Sequence, residues 1–183
     1  MFAKPPKIIH YCYGVDQPLY TEMKENITGI EFHEGLPARD DLEAWNIREP
    51  GHKILILDDI MQKCSKSVDI VDVYCQFSHH WNYTCWLICQ NCFSASPQFR
   101  TLSLNTHYIF LFKNHRDQLQ VQTLGRQMFP GQTKYFMDAY RKATEKKYKY
   151  LLVDLSPHSD PEYKLRTDIL PGQLTIVFLP ENK

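Results

Sequence analysis

The sequence predicts an α/β fold with a largely parallel sheet, and two observations support this prediction. Short apolar or β-branched runs recur along the chain, and helix-length segments separate most of them. Strands joined by such crossover segments usually run parallel in one sheet. At 183 residues the chain is long enough for one well-buried domain, so we expect a single domain over residues 1–183.

The first elements follow from local patterns. Residues 7–13 form an apolar and β-branched run that a glycine closes, which predicts a strand. The segment 18–27 begins with proline and repeats apolar residues every four positions, which predicts a helix. A short strand at 30–32 and one helical turn at 40–45 come next. The run 53–58 is nearly continuous in apolar residues, so we expect both of its faces to be covered.

The later elements continue the alternation. Residues 68–78 have apolar side chains at helical spacing, and strongly apolar strands follow at 83–89 and 106–112. Two more helices and two more strands complete the predicted sheet. They cover residues 117–128, 132–145, 150–155 and 175–179, and Asp117 is the expected N-cap of the first of these helices.

Charge and hydropathy narrow the function classes. The 21 basic and 21 acidic side chains balance, which argues against a globally basic nucleic-acid-binding protein but allows a local basic patch. The first residues lack the apolar core of a signal peptide, and no apolar stretch approaches the roughly 18 residues of a membrane helix. We therefore expect an intracellular protein, cytoplasmic or nuclear, with no membrane partner.

The six cysteines lie mostly in apolar segments, which predicts buried, reduced thiols. Cys85, Cys89 and Cys92 have a superficial likeness to metal ligands, with His79 and His80 nearby. Cys85 and Cys89 fall within a predicted strand, and the two separate Cys-x2–4-Cys pairs of the usual zinc sites do not occur. We therefore expect thiols rather than zinc ligands.

Polar side chains follow two of the predicted strands. Asp58 and Asp59 end the run 53–59, and Gln90 and Asn91 follow the next strand. At the carboxyl end of a parallel strand a first carboxylate could hold Mg²⁺ through water, and a second could orient or deprotonate an attacking water. Two amides after the next strand would suit sensing a terminal phosphate or holding a water. Each pair could equally be a polar strand end.

Two basic segments are candidates for contact with phosphate. Residues 113–117 follow the fourth strong strand and, with Arg100 and Arg126, supply cations able to meet phosphate or a neighbouring subunit. Residues 141–149 are the densest basic stretch and could touch a DNA backbone. A solvated loop and a solvated helix end explain the same two patterns.

Taken in order, several segments resemble one family. Examples are Ile8-Ile9-His10-Tyr11-Cys12-Tyr13-Gly14 and Leu57-Asp58-Asp59-Ile60-Met61. The others are residues 32–37, 78–80, 90–91, 104–108, 111–117, 125–131 and 152–158. The series resembles the FtsK/HerA-type genome-packaging ATPases of Polinton (Maverick) elements, which are relatives of the poxvirus packaging ATPases, and it covers nearly the whole chain.

The resemblance implies a RecA-like P-loop NTPase core that uses ATP and Mg²⁺. By position it implies Asp58 on Mg²⁺, Asp59 as the catalytic carboxylate and Gln90 as the phosphate-sensing amide, with Asn91 and Arg126 near the nucleotide. It also implies double-stranded DNA, a ring of identical subunits and a capsid vertex as partners. Trp81 stands where the family usually has arginine, and Phe77 where a small residue is usual.

One motif of the family does not occur in this chain. No Gly-x-x-x-x-Gly-Lys-[Ser/Thr] is present, and all seven glycines are isolated. We therefore expect a core truncated at its N-terminus, without the first strand, P-loop and first helix, and no independent ATP hydrolysis. The strands at 83–89 and 106–112, which flank that missing strand in the family, should pair directly or leave an open slot.

Two other functions stay open. A non-catalytic interaction module, or a degenerate fragment of a mobile element, would need no nucleotide. A small metal-dependent nuclease would use Asp58 and Asp59, but no other carboxylate cluster in the sequence converges on them.

Overall fold

The computed structural model describes residues 5–60, 64, 66–91 and 96–180. The chain divides into two compact units, one ending at Asn105 and one beginning at Thr106. Each unit has its own four-stranded sheet. The chain is therefore a mixed α/β protein in which the two sheets are built differently.

The first unit contains a parallel sheet with strand order β2-β1-β3-β4. Its strands are β1 (Ile8–Tyr13), β2 (Ile30–Glu34), β3 (Lys53–Asp58) and β4 (Tyr83–Ile88). The apolar runs that predicted these strands place their bounds within two residues. Strand β3 lies between two neighbours, and four of its six residues are buried, as its continuous apolar character predicts.

Helices cover both faces of this sheet. They are α1 (Pro18–Asn26), α2 (Arg39–Arg48), α3 (Val68–Asp72), which continues as a π-helical segment (Val73–Phe77) and a last turn α4 (Ser78–His80), and α5 (Pro97–Leu104). Pro18 occupies the first turn of α1, where its missing N–H costs nothing. Helix α2 is longer than the single turn predicted, and α5 was not predicted.

Two hydrophobic clusters show which helix lies on which face. Tyr20 of α1 packs with Tyr11 and Ile30 on one face of the sheet. Leu42 of α2 packs with Leu55 on the opposite face. Helices α3 and α5 contribute buried side chains to that second cluster, so α1 alone covers the first face among the described helices of this unit.

The second unit contains an antiparallel sheet with strand order β5-β6-β7-β8. Its strands are β5 (Tyr108–Phe112), β6 (Tyr150–Asp154), β7 (Leu165–Thr167) and β8 (Ile176–Val177), and its helices are α6 (Gln118–Met128), α7 (Thr133–Ala143) and the 3₁₀ turn Pro161–Tyr163. Strand β6 is buried along its whole length. Helices α6 and α7 pack through Gly125 and Phe136.

The expectation of one largely parallel sheet is wrong for the second unit. Strand β6 pairs antiparallel with β5, and the unpredicted strand β7 pairs antiparallel with β6. Within the described residues, β4 and β5 do not pair with each other. Each is the outer strand of its own sheet, so the direct pairing considered for residues 83–89 and 106–112 does not occur.

Both outer strands present large apolar side chains to solvent. Trp86 and Ile88 of β4 are 44% and 45% exposed, and Phe112 of β5 is 58% exposed. No helix within the described ranges is long and apolar enough to cross a bilayer.

Candidate functional site

The carboxyl ends of β3 and β4 carry the polar residues that the sequence singled out. Asp58 is the last residue of β3, and its register partner on β4 is Ile88. Gln90 and Asn91 therefore lie just beyond the end of β4, on the same edge of the sheet, and both are exposed. The structure brings the two carboxylates and the two amides to one edge of the first unit.

The order of the strands changes direction next to Asp58. From β1 the chain moves outward to β2, then returns across β1 to form β3 and continues to β4. Right-handed crossovers in opposite directions place their helices on opposite faces, as α1 and α2 are. The crevice outside the carboxyl ends at such a reversal is where open α/β sheets bind ligands. Asp58 stands at this crevice, between β1 and β3.

Two tyrosine hydroxyls hold the carboxylate of Asp58. Tyr11 of β1 donates to Oδ2 at 2.6 Å, and Tyr20 of α1 donates to the same oxygen at 3.1 Å. Burial, reinforced by the hydrogen bond to Asp58, raises the pKa of Tyr20 to about 12. The same two causes raise the pKa of Tyr11 further. Both phenols therefore stay protonated at neutral pH and remain donors to Asp58.

The backbone around Asp59 is tightly constrained. Asp59 has a left-handed φ of +54°, and its carbonyl oxygen lies 2.8 Å from where a Cβ of residue 14 would be. Gly14 also donates its N–H to the carbonyl of Asp58 at 3.2 Å. Glycine is therefore required at position 14 for the loop after β1 to lie against the loop after β3. The side chain of Asp59 is exposed at this junction.

The carboxylate oxygens at this edge of the sheet are suitable ligands for a magnesium ion. Mg²⁺ prefers carboxylate oxygens and retains several waters, so it needs only one or two protein ligands. Both tyrosines bind Oδ2 of Asp58, and no described residue donates to Oδ1. Asp58 would hold the ion with this second oxygen, and the exposed Asp59 could act on a water nearby.

Arg126 is not brought to this edge by the sheet that carries Asp58. It lies on α6 in the second unit, where it is exposed. Arg100 is also exposed and lies on α5 in the first unit.

The two basic segments predicted from the sequence meet in the second unit. One pocket is lined by Phe112, Lys113 and His115 together with residues 145–149. Asp117 caps α6 by accepting from the N–H of Gln120 at 3.2 Å, as predicted. The loop that carries Lys113 and His115 is therefore held at the start of a helix, next to the lysine-rich end of the 141–149 stretch.

The cysteines mostly behave as thiols in apolar surroundings. Cys12 and Cys64 are fully buried, and burial raises their thiol pKa to about 12 and about 11. Cys89 follows β4 and is exposed, contrary to its predicted place inside the strand. Cys92 lies outside the described residues, and no cysteine of the described part joins a cluster of three metal ligands.

Phe77 and Trp81, which flank α4, contact each other. The rings of Phe77 and Trp81 stack with their centroids 4.7 Å apart and their planes 13° apart. The guanidinium of Arg39 lies over the Phe77 ring, 4.9 Å from its centroid. His79 and His80 are exposed in the turn between the two stacked residues. The two residues therefore form one packed aromatic contact at the end of this helical segment.

Sequence reasoning missed Tyr11 and Tyr20 as partners of Asp58. A signal was present, because tyrosines stand at alternate positions 11 and 13 of the first predicted strand, and Tyr20 comes two residues after Pro18. The sequence does not show that β1 and β3 are neighbours in the sheet, and only that pairing brings Tyr11 next to Asp58.

Comparison with protein-family models, with curated proteins and with solved structures finds no match to this chain.

Proposed function

We propose that this chain contributes the metal-binding edge of a RecA-like ATPase that moves double-stranded DNA, the activity of the Polinton-type packaging motors its sequence resembles. The observation that carries the proposal is the position of Asp58 and Asp59 at the reversal of strand order in a parallel sheet. A carboxylate pair at that point is where a P-loop enzyme needs its Mg²⁺ ligand.

Each residue has a separate role in this proposal. Asp58, oriented by Tyr11 and Tyr20, holds hydrated Mg²⁺, and Asp59 orients or deprotonates the attacking water. Gln90, on the adjacent strand end, senses the terminal phosphate. Asn91 beside it contacts the nucleotide.

The 183 residues alone are proposed not to hydrolyse ATP. Backbone amides and the lysine of a phosphate-binding loop supply most of the grip on the phosphates, and the sequence contains no such loop. A malachite-green phosphate assay on the purified chain, with and without double-stranded DNA, should detect no release above background. Turnover that Asp59→Asn abolishes would overturn this part of the proposal.

Metal binding at the edge can be measured without turnover. Mn²⁺ is a paramagnetic substitute for Mg²⁺, and its binding can be followed by electron spin resonance. We expect Asp58→Asn to weaken Mn²⁺ binding, whereas the exposed Asp160→Asn in the second unit should leave it unchanged. Equal binding by the parent chain and Asp58→Asn would refute the assignment of Asp58.

The pocket of the second unit supports the DNA part of the proposal. Lys113, Lys146 and Lys147 line it, and clustered lysines bind phosphate oxygens in a salt-dependent manner. Replacing Lys146 and Lys147 by alanine should weaken binding to a duplex of any sequence and reduce the salt slope by about 2. Lys24→Ala, on α1 of the first unit, is the control. An unchanged salt slope in the double variant would contradict a role for this pocket.

A second candidate function is an interaction module that accepts a strand of another copy of this chain at the open edge of β4. The observation that favours it is the pair of exposed side chains, Trp86 and Ile88, on an outer strand. Exposed apolar edge strands are templates for pairing with another chain. Size-exclusion chromatography with light scattering should then show a defined oligomer that Ile88→Lys dissociates. A monomer, or a polydisperse aggregate, would count against it.

A further inference from the structure

A second cluster of polar side chains lies on the face of the parallel sheet opposite Tyr11. His10 of β1 lies beside Glu31 of β2 in the parallel register, and His33 follows two positions later on the same face of β2. The ligand atoms of the three side chains all lie within 4.8 Å of one another. None of these residues takes part in the proposed site at Asp58.

The distances within this cluster match a metal site. His10 Nδ1 lies 3.2 Å from His33 Nε2 and 3.6 Å from Glu31 Oε2. His33 Nε2 and Glu31 Oε2 are 3.8 Å apart. Ligands of a tetrahedral zinc ion, with bonds of about 2.0–2.2 Å, are themselves about 3.3–3.6 Å apart. The 3.6 Å separation lies in this range, while 3.2 Å is slightly short and 3.8 Å slightly long, so small shifts of the side chains would seat one ion on all three atoms.

Helix α2 fixes the orientation of the three side chains. The Trp45 ring stacks on His10 at 4.1 Å with planes 7° apart, and lies 4.3 Å from the ring of His33. Arg48 donates to Oε2 of Glu31 at 2.6 Å. Such outer contacts hold ligands in place before an ion binds, which lowers the entropic cost of binding.

The cluster is enclosed on one side and open on the other. His10 is fully buried, and its Nε2 has no hydrogen-bond partner among the described residues. The side chains of Glu31 and His33 are 38% and 28% exposed. An ion can thus enter from solvent and complete its shell with water, as three-ligand zinc sites do.

We propose that His10 Nδ1, Glu31 Oε2 and His33 Nε2 form a binding site for one divalent transition-metal ion of the zinc class. The ion joins β1 to β2 on the face that α2 covers. Two imidazoles and one carboxylate suit Zn²⁺ and Co²⁺ and do not suit Mg²⁺, which prefers oxygen ligands. This site and the proposed magnesium site at Asp58 therefore bind different ions.

The test is a Zn²⁺ titration of the full chain, purified without a polyhistidine tag, by competition with a chromophoric chelator. We expect one ion per chain. His33→Ala and Glu31→Gln, which alter partly exposed side chains, should each weaken binding at least tenfold while circular dichroism shows an unchanged fold. His115→Ala removes a histidine of the second unit and should bind like the parent chain.

Two further measurements separate this site from other zinc ligands. The exposed thiol of Cys89 also has affinity for Zn²⁺, so Cys89→Ser must retain the site. Co²⁺ should give the visible absorption of a low-symmetry site with nitrogen and oxygen ligands, and His33→Ala should lose it. The proposal is overturned if no stoichiometric binding is found, if His33→Ala binds as the parent does, or if Cys89→Ser alone removes the ion.

Discussion

The hydroxyl of Tyr11 donates a hydrogen bond of 2.6 Å to Oδ2 of Asp58, from one parallel strand to the next. Tyr11 is 7% exposed, so water cannot readily replace this bond. Tyr11→Phe should therefore lower the free energy of unfolding by about 1.5–3 kcal/mol, the range for hydrogen bonds to charged groups. Urea unfolding monitored by circular dichroism measures the change.

Tyr148→Phe is the matched control for this prediction. Tyr148 is 90% exposed, so removal of its hydroxyl should change the unfolding free energy by less than about 0.5 kcal/mol. Equal effects of the two substitutions would show that the Tyr11 hydroxyl contributes nothing specific.

Lys53 is fully buried, and its ammonium group bonds three oxygens. It donates to Asn46 Oδ1 at 2.9 Å and to the carbonyls of Gly51 and Trp81 at 3.0 and 2.7 Å. Lys53→Met leaves all three acceptors without this donor. We expect a loss of about 2–4 kcal/mol in unfolding free energy, again measured with urea.

Lys7→Met is the control for Lys53→Met. Lys7 makes a surface ion pair with Glu49 at 3.1 Å, and its side chain is 65% exposed. Surface ion pairs contribute little, so a change below about 1 kcal/mol is expected. A Lys53→Met chain as stable as the Lys7→Met chain would refute the role of the buried ammonium.

Burial lowers the pKa of His10 to about 4, and this makes the fold sensitive to acid. In the unfolded chain the imidazole takes up a proton near its ordinary pKa of about 6.5, whereas in the fold it does so only near 4. The stability that neutral His10 contributes to the fold is therefore fully present above pH 6.5 and is lost as the pH falls towards 4. The loss amounts to roughly 2–3 kcal/mol, measured by urea unfolding at pH 7 and pH 4.5.

His10→Gln should remove most of this difference between the two pH values. Glu31, His33, Arg48 and Lys53 surround His10, and the lowered pKa of His33 adds a smaller effect of the same sign. The substitution of an exposed imidazole, His79→Gln, should preserve the full pH dependence. A His10→Gln chain that loses as much stability in acid as the parent would contradict the assignment.

Gly125 allows helices α6 and α7 to approach closely. A Cβ at this position would lie 2.4 Å from Cδ1 of Phe136, which is completely buried. Gly125→Ala should lower the unfolding free energy by about 1–3 kcal/mol despite the better helix propensity of alanine. Gln127→Ala, at an exposed position of the same helix, should be neutral or slightly stabilising. Equal thermal midpoints of the two variants would contradict this prediction.

The strands of the first unit could be predicted because their apolar runs are bounded by polar or glycine residues. The run 53–58 is an example, and its predicted bounds are those of β3. The antiparallel pairing of β6 could not be predicted, because a fully buried strand has the same apolar pattern in either kind of sheet. Strand β7 has only three residues and so offers too short a pattern to detect.

The candidate sites show a similar division. Asp58 and Asp59 were visible because two carboxylates directly follow an apolar run. The cluster of His10, Glu31 and His33 was not, because it depends on β1 and β2 being neighbours in the sheet. The spacing of Glu31 and His33 places both on one face of a strand, but no local pattern says which strand lies beside it.

The order of strands in the first unit also affects how the chain is made. Strand β1 is interior in its sheet, yet its neighbour β3 begins 45 positions later in the chain, as the pairing of Ile8 with Lys53 shows. At a synthesis rate of about 5–20 residues per second, one edge of β1 stays unpaired for roughly 2–9 s. During synthesis one edge of the segment 8–13 therefore stays without its strand partner until β3 is made and pairs with it.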